Sequence, residues 1–264
     1  MKKLKAFIGK AYLALVFVFL YAPIVTLIVY SFNGGKGRKW QGFSLQWYAE
    51  LFRSPAIGEA VMNTLTIALL SAIIATLIGV ISCIGIQALS NRFRNVYMAI
   101  NNIPLLNSDL VTGLSLMLVF IAFGFSFGYS TVLLAHISFN IPYVILSVLP
   151  RLRATNQSTY EAALDLGAHP VQAFFKVILP EIFPGIVSGF LMAFTMSLDD
   201  FIITHFTKGP GINTISTMIY SAVRRGIKPT MNALSTIMFL SAIVLLILTN
   251  VDFSKLGRKK KAEN

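Results

Sequence analysis

RLRATNQSTYEAALDLGAHPVQAFFKVILPEI, residues 151–182, lies between two apolar runs and carries its own punctuation. Ser158-Thr159-Tyr160-Glu161 reads as a capping box and places a helix start just before EAALDL. Gly167 ends that helix, because glycine alone enters the left-handed position after a helix without steric penalty. Pro170 suits the first turn of a second helix, VQAFFKVIL, which Pro180 is expected to terminate. The reading is helix, turn, helix. Ala162, Ala163, Leu164 and Leu166 give the first helix a small apolar face that no lipid should cover, and such a face calls for a protein partner.

The runs on either side set the class. Hydrophobic residues make up 56% of the 264 and charged residues 12%, against about 25% charged in an ordinary soluble domain. Six stretches, 11–32, 62–90, 98–124, 127–150, 183–206 and 233–251, approach or exceed the ~20 residues a helix needs to cross a hydrocarbon core. None alternates as a strand would, and lipid offers a free backbone amide no partner. The expected fold is an all-α membrane protein with six transmembrane helices. An N-terminal helix and first outer loop take 1–61, a five-helix core takes 62–251, and a basic tail takes 252–264.

A net charge of +12 would suit nucleic acid, but the charges are placed as topology signals. Fourteen of the 22 Lys and Arg residues fall at the two termini or in the loops on the same side as 151–182, and eight fall in the alternate loops. Under the positive-inside rule both termini are cytoplasmic. KLGRKKK (255–261) then reads as a headgroup anchor, and no nucleic-acid partner is expected. MKKLKAFIGK resembles the start of a signal peptide, but the apolar run behind it is about twice the usual length and shows no small-residue cleavage site, so a retained helix is expected. Cys83 is the only cysteine, which excludes a disulfide or Cys-based metal framework. His136, His169 and His205 show no metal-ligand spacing, and no metal is expected.

Glu161-Ala162-Ala163, three residues, Gly167, nine residues, Val177, one residue, Leu179-Pro180 is the spacing of the EAA loop of ATP-binding-cassette (ABC) importer permeases, with valine where isoleucine is usual. The chain resembles that family. WQGFSLQWYAELF (40–52), NSDLVTGLSL (107–116), SLDDFIITHF (197–206) and IYSAVRRGIKPTMNALSTI (219–237) spread the resemblance over most of the chain. They narrow it to polyamine permeases, and the chain looks most similar to the second permease subunit of spermidine/putrescine transporters. The resemblance implies a type I importer permease of MetI-like architecture in a bacterial inner membrane. It implies that Glu161, Ala162, Ala163, Gly167, Leu179 and Pro180 form a coupling element that docks on a cytoplasmic ATPase. The partners it implies are a second homologous permease subunit, two copies of the ATPase and an extracytoplasmic polyamine-binding protein. No GxxxxGK[ST] sequence is present, so ATP and Mg belong to the ATPase, and this chain is expected to be a transporter subunit and not an enzyme.

FTMSLDDFIITHF, residues 194–206, keeps two aspartates in an apolar span, where each ionised carboxylate costs roughly 2.5–3.5 kcal/mol. A polyamine substrate, implied by the resemblance, would explain them, since carboxylates facing a hydrated cavity can replace the water around each ammonium group. With Asp109 in span three, Asp199 and Asp200 would form a stepped series of pathway acids. Adjacent helical residues point about 100° apart, so Asp199 and Asp200 cannot share a face. The stripe Ser197, Asp200, Thr204 is the more polar and is favoured for the cavity. The other reading of each aspartate is a hydrogen-bonded strut or a helix-end charge, and Asn107, Ser108 and Thr112 could satisfy Asp109 locally. Pro104 should loosen or kink span three.

Trp40, Trp47 and Tyr48 suit an interfacial belt or lateral cap, with contact to substrate ammonium groups as the second reading, and Tyr220 is similarly placed in the last outer loop. His136, Asn140 and Pro142 fall in span four, where a helix-packing hydrogen bond is the first reading and substrate contact the second. An intramembrane aspartyl protease also pairs aspartates from different spans, but it needs a GxGD sequence, which GFLMAFTMSLDD lacks. A passive cation channel would not need a docking helix. The competing reading is the same kind of permease for another small solute.

Overall fold

The computed structural model describes residues 2–36, 39–225 and 229–250, and the basic tail at 252–264 lies outside the described residues. The helices among them are α1 (Lys2–Ser31), α2 (Gln46–Arg53), α3 (Pro55–Ala88), α4 (Asn91–Leu106), α5 (Asp109–Ala122), α6 (Tyr129–Ala154), α7 (Gln157–Asp165), α8 (Pro170–Ala173), α9 (Leu179–Asp199), α10 (Ile202–Thr207), α11 (Ile215–Arg225) and α12 (Pro229–Asn250). A five-residue π-helical segment, Phe174–Ile178, joins α8 to α9. Extended pairing among the described residues is limited to one isolated bridge, Asn33 with Phe43.

Among the described residues four helices are long and apolar enough to cross a membrane: Gly9–Ser31, Pro55–Ala88, Tyr129–Ala154 and Pro170–Asp199. The pair Asn91–Leu106 and Asp109–Ala122 makes a fifth span if counted together, although its halves are bent by 109°. Pro229–Val244 is a shorter apolar helix in the place of the sixth expected span. The all-α membrane class and the positions of the spans agree with the sequence reading. The continuity of three helices does not.

The first difference is in span three, where Pro104 has no N–H to give its own turn and α4 closes at Leu106. Ser108 then caps a new helix by accepting from the Val111 amide at 3.5 Å. In span five, α9 stops at Asp199 and α10 begins at Ile202. Pro180, expected to end a helix, instead sits in the first turn of α9 within one unbroken run from Pro170 to Asp199. The π-helical segment explains this: the Leu179 amide reaches back five residues to the Phe174 carbonyl, and the widened turn leaves room for the proline ring.

The chain divides into two compact units, residues 1–58 with 218–264, and residues 59–217. In the first unit, α12 packs on α1 and on α2. The amphipathic α2 is pinned to the end of α1 by two aromatic residues: the Trp47 indole donates to the Asn33 carbonyl at 2.6 Å, and the Tyr48 hydroxyl shares a 2.7 Å hydrogen bond with Ser31. Trp47 and Tyr48 thus make the lateral cap expected of them. The outward side chains of α1, such as Tyr12, Leu15, Phe19 and Val25, are exposed, as a lipid-facing helix requires.

The second unit is built around α3, α6 and α9, whose buried core includes Ala72, Ala75, Val144, Ile145, Val148 and Ala193. Small residues let these helices approach closely, which is how helices associate where no hydrophobic force separates them from lipid. A Cβ on Gly189 would sit 3.3 Å from the Val144 Cα, and one on Gly185 would sit 3.1 Å from the Ser147 carbonyl oxygen. Gly185 and Gly189 form a GxxxG pair on the α9 face that meets α6.

Candidate functional site

The two helix breaks bring the three aspartates to one place. Asp109 is the first residue of α5, Asp199 the last of α9, and Asp200 the first residue of the link to α10. Helices α5 and α10 pack on each other, closely at Gly113, where an added Cβ would meet Ile203 Cα at 3.3 Å. Asp109, Asp199 and Asp200 line a cavity of about 350 Å³ whose walls include Phe139, Met196 and Phe201. Acidic side chains on broken membrane helices that line a cavity are the arrangement in which lipid permits irregular backbone.

The acids are not equivalent. Asp109 and Asp199 are exposed, whereas the Asp200 side chain is only 8% exposed. Asp200 Oδ1 accepts from the Ile203 amide at 3.2 Å, and Oδ2 accepts from the Thr204 amide and the Thr204 hydroxyl, both at 2.8 Å. It therefore satisfies the free amides that open α10, as a capping carboxylate does. His136 Nε2 stands 3.4 Å from Asp200 Oδ2 and 2.9 Å from Thr204 Oγ1, and its Nδ1 meets Ser197 Oγ. Of the stripe Ser197, Asp200, Thr204, favoured for the cavity by helical periodicity, Asp200 lies on the cavity wall, while Ser197 and Thr204 are buried in this network. The periodicity assumed a continuous helix, whereas α9 ends at Asp199 and the chain turns at Asp200.

Sequence reasoning named His136 and Asn140 as helix-packing residues, and both are buried. It missed Ser71 of α3, which ties them to span five. A serine in an apolar span was the available signal, and it carries little weight alone. Trp40 and Tyr220 belong to the other unit. Trp40 is 53% exposed, and the Arg224 guanidinium stands over the Tyr220 ring, 5.4 Å from its centroid. Lys208, just past α10, donates to the Ile212 carbonyl at 3.1 Å and to Asn213 Oδ1 at 2.8 Å, and partial burial holds its ammonium below the usual lysine value. Among the described residues no group of three His, Cys, Asp or Glu side chains could hold a metal ion.

The loop at 151–182 forms a compact elbow. Its first helix, α7, starts earlier than the capping box suggested: Asn156 is the cap, and its side chain accepts from the Ser158 amide at 3.0 Å. Two cap-competent residues lie two positions apart, and the longer helix keeps more backbone hydrogen bonds. Gly167 holds φ +87°, with the Ala168 amide bonded to the Ala163 carbonyl at 3.1 Å and its own amide to the Leu164 carbonyl at 2.8 Å. That pair of bonds is a Schellman motif. Pro170 opens α8 as expected. Glu161, Ala162 and Leu166 are exposed, Leu166 at 88%, while Ala163, Leu164 and Leu179 are half-buried and Pro180 is exposed.

Residues 75–259 match the profile of a family described as binding-protein-dependent transport system inner membrane component. The chain is 43% identical over 234 residues to the putrescine transport system permease protein PotI of Escherichia coli K12, covering 85% of this chain and 83% of that one. It is 35% identical over 246 residues to the spermidine/putrescine transport system permease protein PotC of Haemophilus influenzae, covering 93% and 96%. Among solved structures, one of a bacterial ABC transporter involved in the import of the acidic polysaccharide alginate aligns with a TM-score of 0.74 at 19% identity, covering 94% of this chain and 95% of that one. At that identity the likeness concerns the fold alone.

Proposed function

The chain belongs to the family of binding-protein-dependent transport system inner membrane components, and from that premise we propose that it forms half of the pathway by which an ATP-driven importer takes up polyamines. It is a multi-pass membrane permease subunit, not an enzyme, and it works with a separate ATPase and a binding protein. The finer assignments are our own. They are a second homologous permease, two copies of the ATPase that bind ATP and Mg, a polyamine-specific binding protein, and a bacterial inner membrane with both termini in the cytoplasm.

The observation that carries the substrate class is the cavity shared by Asp109, Asp199 and Asp200. Two exposed carboxylates suit ammonium groups, and the walls supplied by Phe139, Met196 and Phe201 suit the methylene spacers between them. Asp200 adds its charge from beneath, already bound to the amides of α10. Trp40, with an open ring, is assigned as an outer contact for the amine, as is Tyr220, whose ring already carries Arg224. Relatives whose names specify putrescine or spermidine support the same class.

On the cytoplasmic side, Glu161, Ala162, Ala163, Gly167, Leu179 and Pro180 are assigned to ATPase coupling within the loop 151–182. The exposed side chains of Ala162 and Leu166 supply the apolar face, and the uninterrupted run from Pro170 to Asp199 carries its displacement toward the acids. Uptake of labelled putrescine and spermidine by the reconstituted complex, against a neutral and an anionic solute of similar size, tests the reading. Amine uptake that needs ATP is expected. Uptake of a non-amine solute in its place refutes the polyamine assignment and leaves the permease assignment standing.

A further inference from the structure

The interior of the second unit holds six polar side chains that meet end to end. Asn140 Nδ2 donates to Ser71 Oγ at 3.4 Å, and Ser71 Oγ donates to Ser197 Oγ at 3.1 Å. Ser197 Oγ meets His136 Nδ1, His136 Nε2 meets Thr204 Oγ1 at 2.9 Å, and Thr204 Oγ1 donates to Asp200 Oδ2 at 2.8 Å. The five residues before Asp200 are all buried, and they come from α6, α3, α9 and α10.

The direction of each bond follows from the donor inventory. Thr204 has one hydroxyl proton and gives it to Asp200, so toward His136 its oxygen can only accept, and Nε2 must carry a proton. The Ser71 hydroxyl also lies 3.2 Å from the Ala68 carbonyl, and when its proton goes to Ser197 the Ser197 proton is free for Nδ1. The tautomer with hydrogen on Nε2 therefore closes the chain from Asn140 to Asp200. At the head of the chain, Asn140 Oδ1 accepts nothing among the described residues. At the foot is the carboxylate that caps α10.

We infer that His136 is a positioning residue for transport: the hydrogen-bond chain from Asn140 to Asp200 holds the break in span five and so fixes how Asp199, the next residue back, is presented to the cavity. The inference rests on the proposed function for what the cavity does, but not for how the chain is built. Asn140 Oδ1 apart, every side chain of this buried network has a hydrogen-bond partner, and a network paired in this way rigidifies the helices that it joins. Spans four and five and α3 are thereby registered on each other where a cation must be met by a carboxylate without rearrangement.

The test places a thiol at Ile202, the first residue of α10 and part of the cavity wall, and measures its modification by a cationic thiosulfonate in the full complex. Cys83 is completely buried and stays silent. In the Ile202→Cys background, His136→Gln keeps an acceptor and a donor at about the spacing of the two ring nitrogens. It should label within about twofold of the parent. His136→Leu should change the rate per assembled complex more than about fivefold.

Amine uptake measured without the probe thiol should follow the same order. Unchanged labelling and uptake in His136→Leu overturns the inference, as does a His136→Gln variant that fails like His136→Leu. If His136→Leu does not assemble, His136→Gln alone decides between a hydrogen-bonding role and a ring that merely fills space. The labelling needs no amine. A wild-type complex that takes up no polyamine would therefore sink the functional reading while the chain is still judged by the thiol.

Discussion

Replacing Gly167 isolates the backbone of the elbow from its packing. At φ +87° a side chain is strained, and outside the two flanking residues no heavy atom lies within 4 Å of the position a Cβ would take, so packing against the rest of the chain neither adds to nor relieves the effect. Left-handed backbone costs an L-residue with a Cβ about 1–2 kcal/mol, which lowers the population of the native turn by about 5–30-fold. Asparagine tolerates this region best, alanine less well, and β-branched valine least. Membrane insertion is set by the apolar spans and should not change. Gly167→Asn should therefore stay nearest to wild type, Gly167→Ala should fall by about an order of magnitude, and Gly167→Val should fall further, in both ATPase captured at limiting ATPase and uptake per complex. A Gly167→Val permease that captures ATPase and transports normally would show that the Schellman turn is not part of coupling. Effects unrelated to this order would show that backbone strain is not the cause.

Three further outcomes follow from the geometry. Asp109→Asn and Asp199→Asn should each lose uptake while the complex assembles at wild-type levels, whereas Asp200→Asn should also reduce assembly, at about 1–3 kcal/mol for each amide left unpaired; uptake divided by complex recovered separates the cases, and normal uptake in all three would mean the charges do not carry the cation. Gly189→Leu should lower the thermal stability of the purified complex by about 1–3 kcal/mol, because its Cβ would press on the Val144 backbone; an unchanged melting temperature would contradict the close crossing of α6 and α9. Asn156→Ala should weaken ATPase capture modestly, by about 0.5–2 kcal/mol for a lost cap, while Ser158→Ala should have little effect, and the reverse order would restore Ser158 as the cap.

The elbow was legible because its signals are local. Gly167 and Pro170 act through φ alone, and they stand where the sequence places them. The membrane class was legible because the free energy of inserting a long apolar run outweighs anything a single residue contributes. What escaped the sequence were interruptions of helices. Hydropathy averages over a span and does not register a break of two residues such as the one after Asp199, and periodicity carried across that break does not show that Ser197 and Thr204 are buried. Pro180 misled for the opposite reason, since proline propensity describes an ordinary α-helical turn and the turn before it is wider. The hydrogen-bond chain joins residues up to 126 positions apart, Ser71 to Ser197, and no local pattern announces it.

The wide turn at Phe174–Ile178 also sets an angular phase. An α-helix advances about 100° per residue, so a turn that takes in one extra residue swings everything before it around the axis by about that amount relative to an uninterrupted helix, without adding a joint. The elbow is thus clocked to the acids at the far end of the same rod by a count of residues. Losing one residue from that turn would leave every side chain of the elbow intact and aim its apolar face about a quarter-turn away from where it now points. Length, not only identity, is the constrained quantity in this segment.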